Sequence, residues 1–182
     1  HIEELHKKTI DHGQIFGFHT KALRISQRLI KQLTCNKVTP LSYFSVSVDA
    51  GYDESYNRVH GVKNLSAKLY SRVLKNLSKL VEYKINNEAS LDISVTYLIN
   101  RINNSVEEVK KHINDFRDAG VNLIRFTFPQ VPRNYIQSKD DSFVPDRDQI
   151  LEDLVKLSPV IESETSSDCQ ILLLDLDNTH GI

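Results

Sequence analysis

The sequence predicts an α/β fold, a single domain over residues 1–182 in which parallel strands alternate with helices. Three observations predict it. The spacing of apolar residues switches repeatedly between helical and strand periods along the chain. Each strand-like run is separated from the next by a helix-like run, a crossover long enough to bring the chain back parallel on the same sheet. The last run, "QILLLDL", is almost continuously apolar, as in a strand buried on both faces of a barrel or a doubly wound sheet.

Residues 2–12 read as a helix closed by Gly13, and "QIFGFHT" follows as a short strand. "KALRISQRLIKQL" reads as a helix with Leu23, Leu29, Ile30 and Leu33 on one face and Lys21, Arg24, Arg28 and Lys31 on another, a solvated basic stripe. The next strand carries Phe44, Val46 and Val48 and turns polar at Asp49, opening a polar loop to Gly61. A helix over about 67–84 places Leu69, Val73, Leu77, Leu80 and Val81 inward. "LDISVTYLI" is a strand by its β-branched and aromatic content. Ser105 and Glu108 form a capping box ahead of the stripe Val106, Val109, Ile113 and Phe116, and Gly120 ends that helix. "VNLIRFTF" is a strand stopped by Pro129. A loop with Pro132 and Pro145 leads to a helix using Ile150, Leu151, Leu154 and Val155, and "QILLLDL" closes the order.

Composition narrows the function classes. A formal net charge of −1 gives no basic excess for a nucleic-acid partner, and no apolar run reaches the roughly 18 residues of a membrane span. With no secretory layout at the N-terminus, a cytoplasmic protein is the expectation. The chain contains no methionine, which points to a fragment of a longer protein. Cys35 and Cys169 stand far apart in no spaced motif, so neither a disulfide framework nor a structural zinc site is expected. The sequons at Asn64, Asn76 and Asn103 read as chance matches without a signal sequence.

In parallel α/β architectures ligands bind at the carboxyl ends of the strands. The residues there are His19 and Thr20, Asp49 to Gly61, Asn100 to Asn104, Phe128 to Arg133, and Asp175 to His180. They offer hydroxyls, amides, carboxylates and imidazoles, with no G-x-G-x-x-G and no Walker loop to cradle a phosphate chain.

"FSVSVDAGYDESYNRVHG", the helix "LYSRVLKNLSKLVEYK", the strand "LDISVTYLIN" and "VEEVKKHINDFRDAGVNLIRFTF" together resemble the later part of a radical S-adenosylmethionine (SAM) enzyme core, over about residues 2–130. The resemblance implies a partial (β/α) barrel of the TIM-barrel-like type, with SAM lying across the strand ends on a [4Fe-4S] cluster. Such an oxidoreductase generates a 5'-deoxyadenosyl radical that abstracts hydrogen from a substrate, which here is unknown, and it draws its electron from a reductant protein. Carried over by position, Ser47 and Asp49 would contact the ribose or the methionine amino and carboxylate groups. The methionine-carboxylate contact, often an arginine, falls to His60 with Arg58 nearby. Thr20 matches the threonine of a threonine-asparagine-glycine turn from which "TKA" departs. Asn100 would approach the ribose or adenine, and Phe126 to Phe128 would flank the adenine.

The family's C-x-x-x-C-x-x-C motif, whose thiolates hold the cluster iron, is absent from the chain. The resemblance therefore implies a fragment whose first strands, cluster loop and cluster ligands lie upstream, inactive by itself and oxygen-sensitive when complete. The loop from Gln130 to Asp146 is a candidate substrate-side lid by its length.

Two alternatives stay open. "ILLLDLDNT" matches the start of a haloacid-dehalogenase-like phosphatase, with Asp175 as nucleophile, Asp177 as general acid and Thr179 beside magnesium. A non-catalytic α/β binding module is the other. Residue by residue, Ser47 and Asp49 are also types common where a strand becomes a loop, Asn100 can simply terminate a strand, and His19, His60 and Arg133 suit turns or solvent.

Overall fold

Six helices and five strands follow one another in the computed structural model, which describes residues 2–129 and 147–174. The order is α1 (Ile2–Asp11), β1 (Gly17–Thr20), α2 (Gln27–Leu33), β2 (Tyr43–Ser47), α3 (Asp53–Val59), α4 (Leu69–Asn86), β3 (Asp92–Leu98), α5 (Val106–Asp118), β4 (Leu123–Thr127), α6 (Arg147–Ser163) and β5 (Gln170–Leu174). The strands form one sheet in the order β1-β2-β3-β4-β5, every neighbouring pair parallel. A sheet that grows one strand at a time in one direction has no switch point, which separates a partial (β/α) barrel from a doubly wound sheet.

Register divides the sheet into two unlike faces. Phe18, Phe44, Val46, Ile93, Val95, Tyr97, Ile124, Phe126 and Ile171 occupy one face by the two-residue alternation of a strand and belong to one apolar cluster with the helices. From the helices come Leu29, Ile30 and Leu33, then Val73, Leu77 and Leu80, then Val109, Ile113 and Phe116, and finally Leu157 and Ile161. The other face is mixed: His19, Ser45, Ser47, Ser94, Thr96, Arg125 and Thr127 lie on it with Tyr43, Leu98, Leu123, Leu172 and Leu174. Successive crossovers of one hand, the right-handed rule for such units, place all helices on the first face and leave the second free of them.

Several sequence expectations are corrected. The helix expected over 21–33 begins only at Gln27, because Ala22 takes a left-handed conformation (φ 52°) and Ser26 is the N-cap, its Oγ accepting from the Leu29 N–H at 3.0 Å. Lys21 and Arg24 therefore lie before that helix. The polar stretch after Asp49 contains α3, held inward by Tyr56 and by Asn57, whose Nδ2 donates to the carbonyls of Leu65 and Ala67. On α6, Leu151 and Val155 face solvent while Leu157 and Ile161 are buried. β5 is an edge strand of the described sheet rather than one buried on both faces: Ile171 is buried and Leu174 exposed. The capping box is half formed: Ser105 Oγ accepts from the Glu108 N–H, but the Glu108 carboxylate turns elsewhere. Among the described residues no helix is long and apolar enough to cross a membrane. Asp175, Asp177 and Thr179, Arg133 and the Gln130–Asp146 loop lie outside the described residues.

The late start of α2 has a measurable consequence. Ser26→Ala should cost about 1 kcal/mol in urea unfolding by removing the acceptor for the Leu29 amide. Lys21→Ala, outside the helix, should leave α2 intact, so its cost is expected in the ion pair with Asp49 and not in helicity.

Candidate functional site

At the carboxyl end of β2 the ladder runs one residue past the strand, Val48 N–H donating to Thr96 O at 3.1 Å, and then breaks at Asp49. Asp49 adopts φ 54°, a left-handed conformation that short polar side chains tolerate because they can bond locally. Here the bonds come from β3 and α5. Asp49 Oδ1 accepts from the Leu98 N–H at 2.8 Å, and its main-chain oxygen accepts from Asn103 Nδ2 at 2.9 Å. Ala50 O accepts from His112 Nδ1 at 2.8 Å, and the Gly51 N–H donates to Glu108 Oε1 at 2.9 Å. Three consecutive residues are thus clamped from the neighbouring β3–α5 unit. Gly51 is required by that approach, since a Cβ there would lie 2.4 Å from the Glu108 main-chain oxygen.

One carboxylate oxygen remains outward. Asp49 Oδ2 faces Lys21 Nζ at 3.3 Å and His60 Nε2 at 3.9 Å. Lys21 follows β1 and is aimed by its turn: Thr20 Oγ1 accepts from the Ala22 N–H, and Asn76 Nδ2 donates to Ala22 O. The Asp49 side chain is 10% exposed and that of Lys21 47%, so the pair opens to solvent on the lysine side. His60 packs edge-on against the Tyr56 ring, centroids 4.3 Å apart, with Nε2 3.4 Å from Val48 O. Burial lowers the His60 pKa, and Lys21 adds to this while Asp49 and the Val48 carbonyl oppose it. The Tyr56 hydroxyl is pushed up to about 12, by burial first and by Asp49 second.

The structure brings Asp49 and His60 together and distributes the other sequence candidates. Ser47 is half-buried on the face away from the helices, in register with Thr96. Strand alternation does not align it with Asp49, because the chain leaves extended geometry at Asp49. Arg58 is engaged elsewhere, its Nη2 on Glu54 Oε1 at 2.6 Å along an exposed side of α3. Thr20 closes its own turn. Asn100 is buried and spent locally, accepting from the Ile102 N–H, donating to Leu98 O, and offering its main-chain N–H to Asn103 Oδ1. Phe126 and Phe128 belong to the helix-side core, Phe126 against Tyr97 and His112, so only Thr127 of that trio is on the open face. Sequence reasoning missed Lys21, whose signal was its place directly after a strand, and His112; it had Asn103 only within a strand-end run and Glu108 only in a capping box, since their roles appear only when the β3–α5 unit meets the β2 turn.

The donors present do not fit an iron-sulfur cluster. The two cysteines stand apart in the fold, Cys169 buried just before β5 and Cys35 just after α2. Among the described residues no three His, Cys, Asp or Glu side chains converge on a metal position. Asp49 Oδ2 with Lys21 and His60 does suit an organic ligand carrying hydroxyl, ammonium or carboxylate groups, since it offers an acceptor and two nitrogen donors at one strand edge.

No family model matches the chain, and no curated protein matches it. Solved structures similar in fold include SuiB from Streptococcus suis, with a TM-score of 0.65 at 10% identity, covering 96% of this chain and 36% of SuiB. SuiB bound to S-adenosylmethionine aligns over the same shares with a TM-score of 0.63 at 10% identity. SuiB bound to its precursor peptide SuiA gives 0.61 at 9% identity, over 94% of this chain and 35% of that one. The chain spans about a third of the length of these structures, and the likeness is one of fold, a partial (β/α) barrel.

The clamp carries a pH dependence. His112 is fully buried among Tyr97, Phe116 and Phe126, with Nδ1–H on Ala50 O and Nε2 without a hydrogen-bond partner. Burial lowers its pKa from 6.5 to about 4, against the Ala50 carbonyl and Asp115, which both raise it. The unfolded chain therefore takes up the proton first, and stability is full above about pH 6.5 and lost as pH falls toward about 4. The loss expected from this group is about 3 kcal/mol, read as a fall in melting temperature across that window. His6 and His60, lowered in the same direction, add with the same sign. His112→Gln should flatten most of the slope; an unchanged slope would remove His112 as its source.

Proposed function

We propose that this chain is the SAM-binding part of a radical SAM oxidoreductase, with the cofactor along the carboxyl edge of β1 to β3. The observation that carries the reading is the Asp49 carboxylate, fixed through Oδ1 and turned outward through Oδ2 between Lys21 and His60. Support comes from the order of strand, turn and helix around Asp49, and from a fold shared with a protein solved with S-adenosylmethionine. In this reading Asp49 Oδ2 accepts from ribose hydroxyls or the methionine ammonium. Lys21, already beside it, takes the methionine carboxylate together with His60, the place that Arg58 leaves by pairing with Glu54. Ser47 is a further ribose contact, while Thr20 and Asn100 act by shaping the turns on either side.

Bound to a reduced [4Fe-4S] cluster, SAM supplies hydrogen-abstraction chemistry, and the cluster ligands and the reductant's docking site belong to parts other than this chain's described residues. What the chain itself does is hold and orient: the clamp on residues 49–51 prevents the acceptor from moving when a ligand exchanges. The substrate belongs to the proposal as an unidentified hydrogen donor.

Calorimetric titration of the 182-residue chain with SAM tests the reading. Saturable binding is expected, weakened at least about tenfold by Asp49→Asn, which keeps an acceptor for the Leu98 amide but loses the charge. Lys21→Gln is expected to weaken SAM in the same direction, and Arg58→Gln to leave it within about twofold, an exposed pair on α3 carrying little. Absence of saturable binding by the unsubstituted chain sinks the proposal.

A further inference from the structure

The face of the sheet away from the helices holds a cation with no counter-ion among the described residues. Arg125, half-buried on β4, extends its Nη2 to Ser45 Oγ on β2 at 3.4 Å, crossing β3. Two strand spacings are roughly 10 Å, so the side chain lies flat across the sheet, over the row in which Ser45 and Ser94 are register partners. Serines suit that path because larger side chains would lift the guanidinium off the sheet. Both are almost wholly buried, at 2% and 5% exposure.

A guanidinium has five N–H donors and no acceptor. Arg125 has none of them engaged among the described residues apart from the long bond to Ser45, and its Nε is buried without a partner there. Among the described residues no carboxylate lies within ion-pair reach of it. Asp49 is committed to Lys21, and Asp92 sits at the far end of β3, two residues before Ser94. Ser47 and Thr96 share Arg125's own row and Thr127 stands two residues further along β4, so hydroxyls line the charge on the β2–β3 side without neutralising it, while Leu123 and Leu172 line its other side. A guanidinium whose Nε is buried and whose remaining donor edge is free among the described residues is preorganised for a planar acceptor.

We propose that this face of the sheet is a carboxylate-binding site centred on Arg125, taking one singly charged carboxylate-bearing ligand against the Ser45, Ser94 and Thr96 hydroxyls. A single guanidinium among neutral hydroxyls matches a monoanion, and its planar donor edge matches the two oxygens of a carboxylate. The inference does not rest on SAM binding at Asp49; it needs only the sheet face.

NMR of the arginine Nε–Hε groups in the 182-residue chain tests it, with sodium acetate as the probe and sodium chloride and inorganic phosphate as comparisons. The resonance lost in Arg125→Gln identifies the group, and it is expected to shift saturably with acetate and not with chloride. Arg125→Lys keeps the charge but loses the fork, and is expected to weaken acetate at least about tenfold by backbone amide shifts at Ser45 and Ser94; it also serves if Arg125→Gln does not fold. A shift with acetate that matches chloride overturns the site. Tighter saturation by phosphate overturns the carboxylate assignment, and competition by SAM overturns a ligand distinct from that cofactor. Failure of SAM to bind in calorimetry while acetate still saturates leaves this site standing alone.

Discussion

Everything at the strand edge depends on how the chain is held at residues 49–51. A left-handed conformation at Asp49 is a cost of about 1 kcal/mol or more for a residue with a Cβ, and it stands because four hydrogen bonds from one neighbouring unit surround it. Each contributes roughly 0.5–1.5 kcal/mol net, and the two to carboxylates, Asp49 and Glu108, more, so together they outweigh the strain. The bonds also determine direction. With Oδ1 fixed on the Leu98 amide and the main-chain oxygen on Asn103, the second carboxylate oxygen has one way to face. Structural and ligand-facing roles are divided between two atoms of one side chain.

The clamp in turn draws on the core beneath it. His112 can donate to Ala50 only because it is buried as a neutral ring packed against Tyr97, Phe116 and Phe126. Glu108 reaches Gly51 only because it gives up the reciprocal half of its capping box with Ser105. A helix terminus is left less satisfied so that a loop 57 residues away is positioned. Asn103, wholly buried, serves the same end from the other side, its carbonyl held by the Tyr97 hydroxyl. Apolar packing on the helix face and polar geometry at the strand edge are one system, joined through α5.

Much of this was legible in the sequence, and what was not shares a cause. The periods of α4, β3, α5 and β4 are carried by their own residues, Leu77 and Leu80 or Ile93 and Val95, and local pattern suffices for them. α3 was hidden because its inward side is Ser55, Tyr56 and Asn57, and Asn57 is buried only by donating to carbonyls eight and ten residues away. The late start of α2 was hidden because "KALRIS" has helix-forming residues, while Asn76, on a different helix, holds the Ala22 carbonyl outside helical geometry. Phe126 and Phe128 looked available to a ligand because periodicity gives two faces without saying which carries the helices. Asp49 was legible as a residue type in a known pattern, but its partners were not, since Lys21 lies just after β1 and Leu98 ends β3.

Topology explains why those two, and not others, are the partners. In a parallel sheet of sequential order a side chain at the end of β2 has β1 on one side and β3 on the other, about 5 Å each way. A cation for Asp49 can therefore come from the residue just after β1, and a backbone donor from the last residue of β3, while anything ending β4 is a strand too far. Arg58 is closer in sequence than Lys21, nine positions against 28, yet α3 carries it along its own axis onto Glu54. The same reasoning makes Arg125 an exception that needs a long side chain: starting mid-strand on β4, it spans β3 to reach Ser45 on β2, and it can do so only across small residues. The order of the strands decides which charges can meet, and among the described residues it leaves Asp49 paired and Arg125 without a counter-ion.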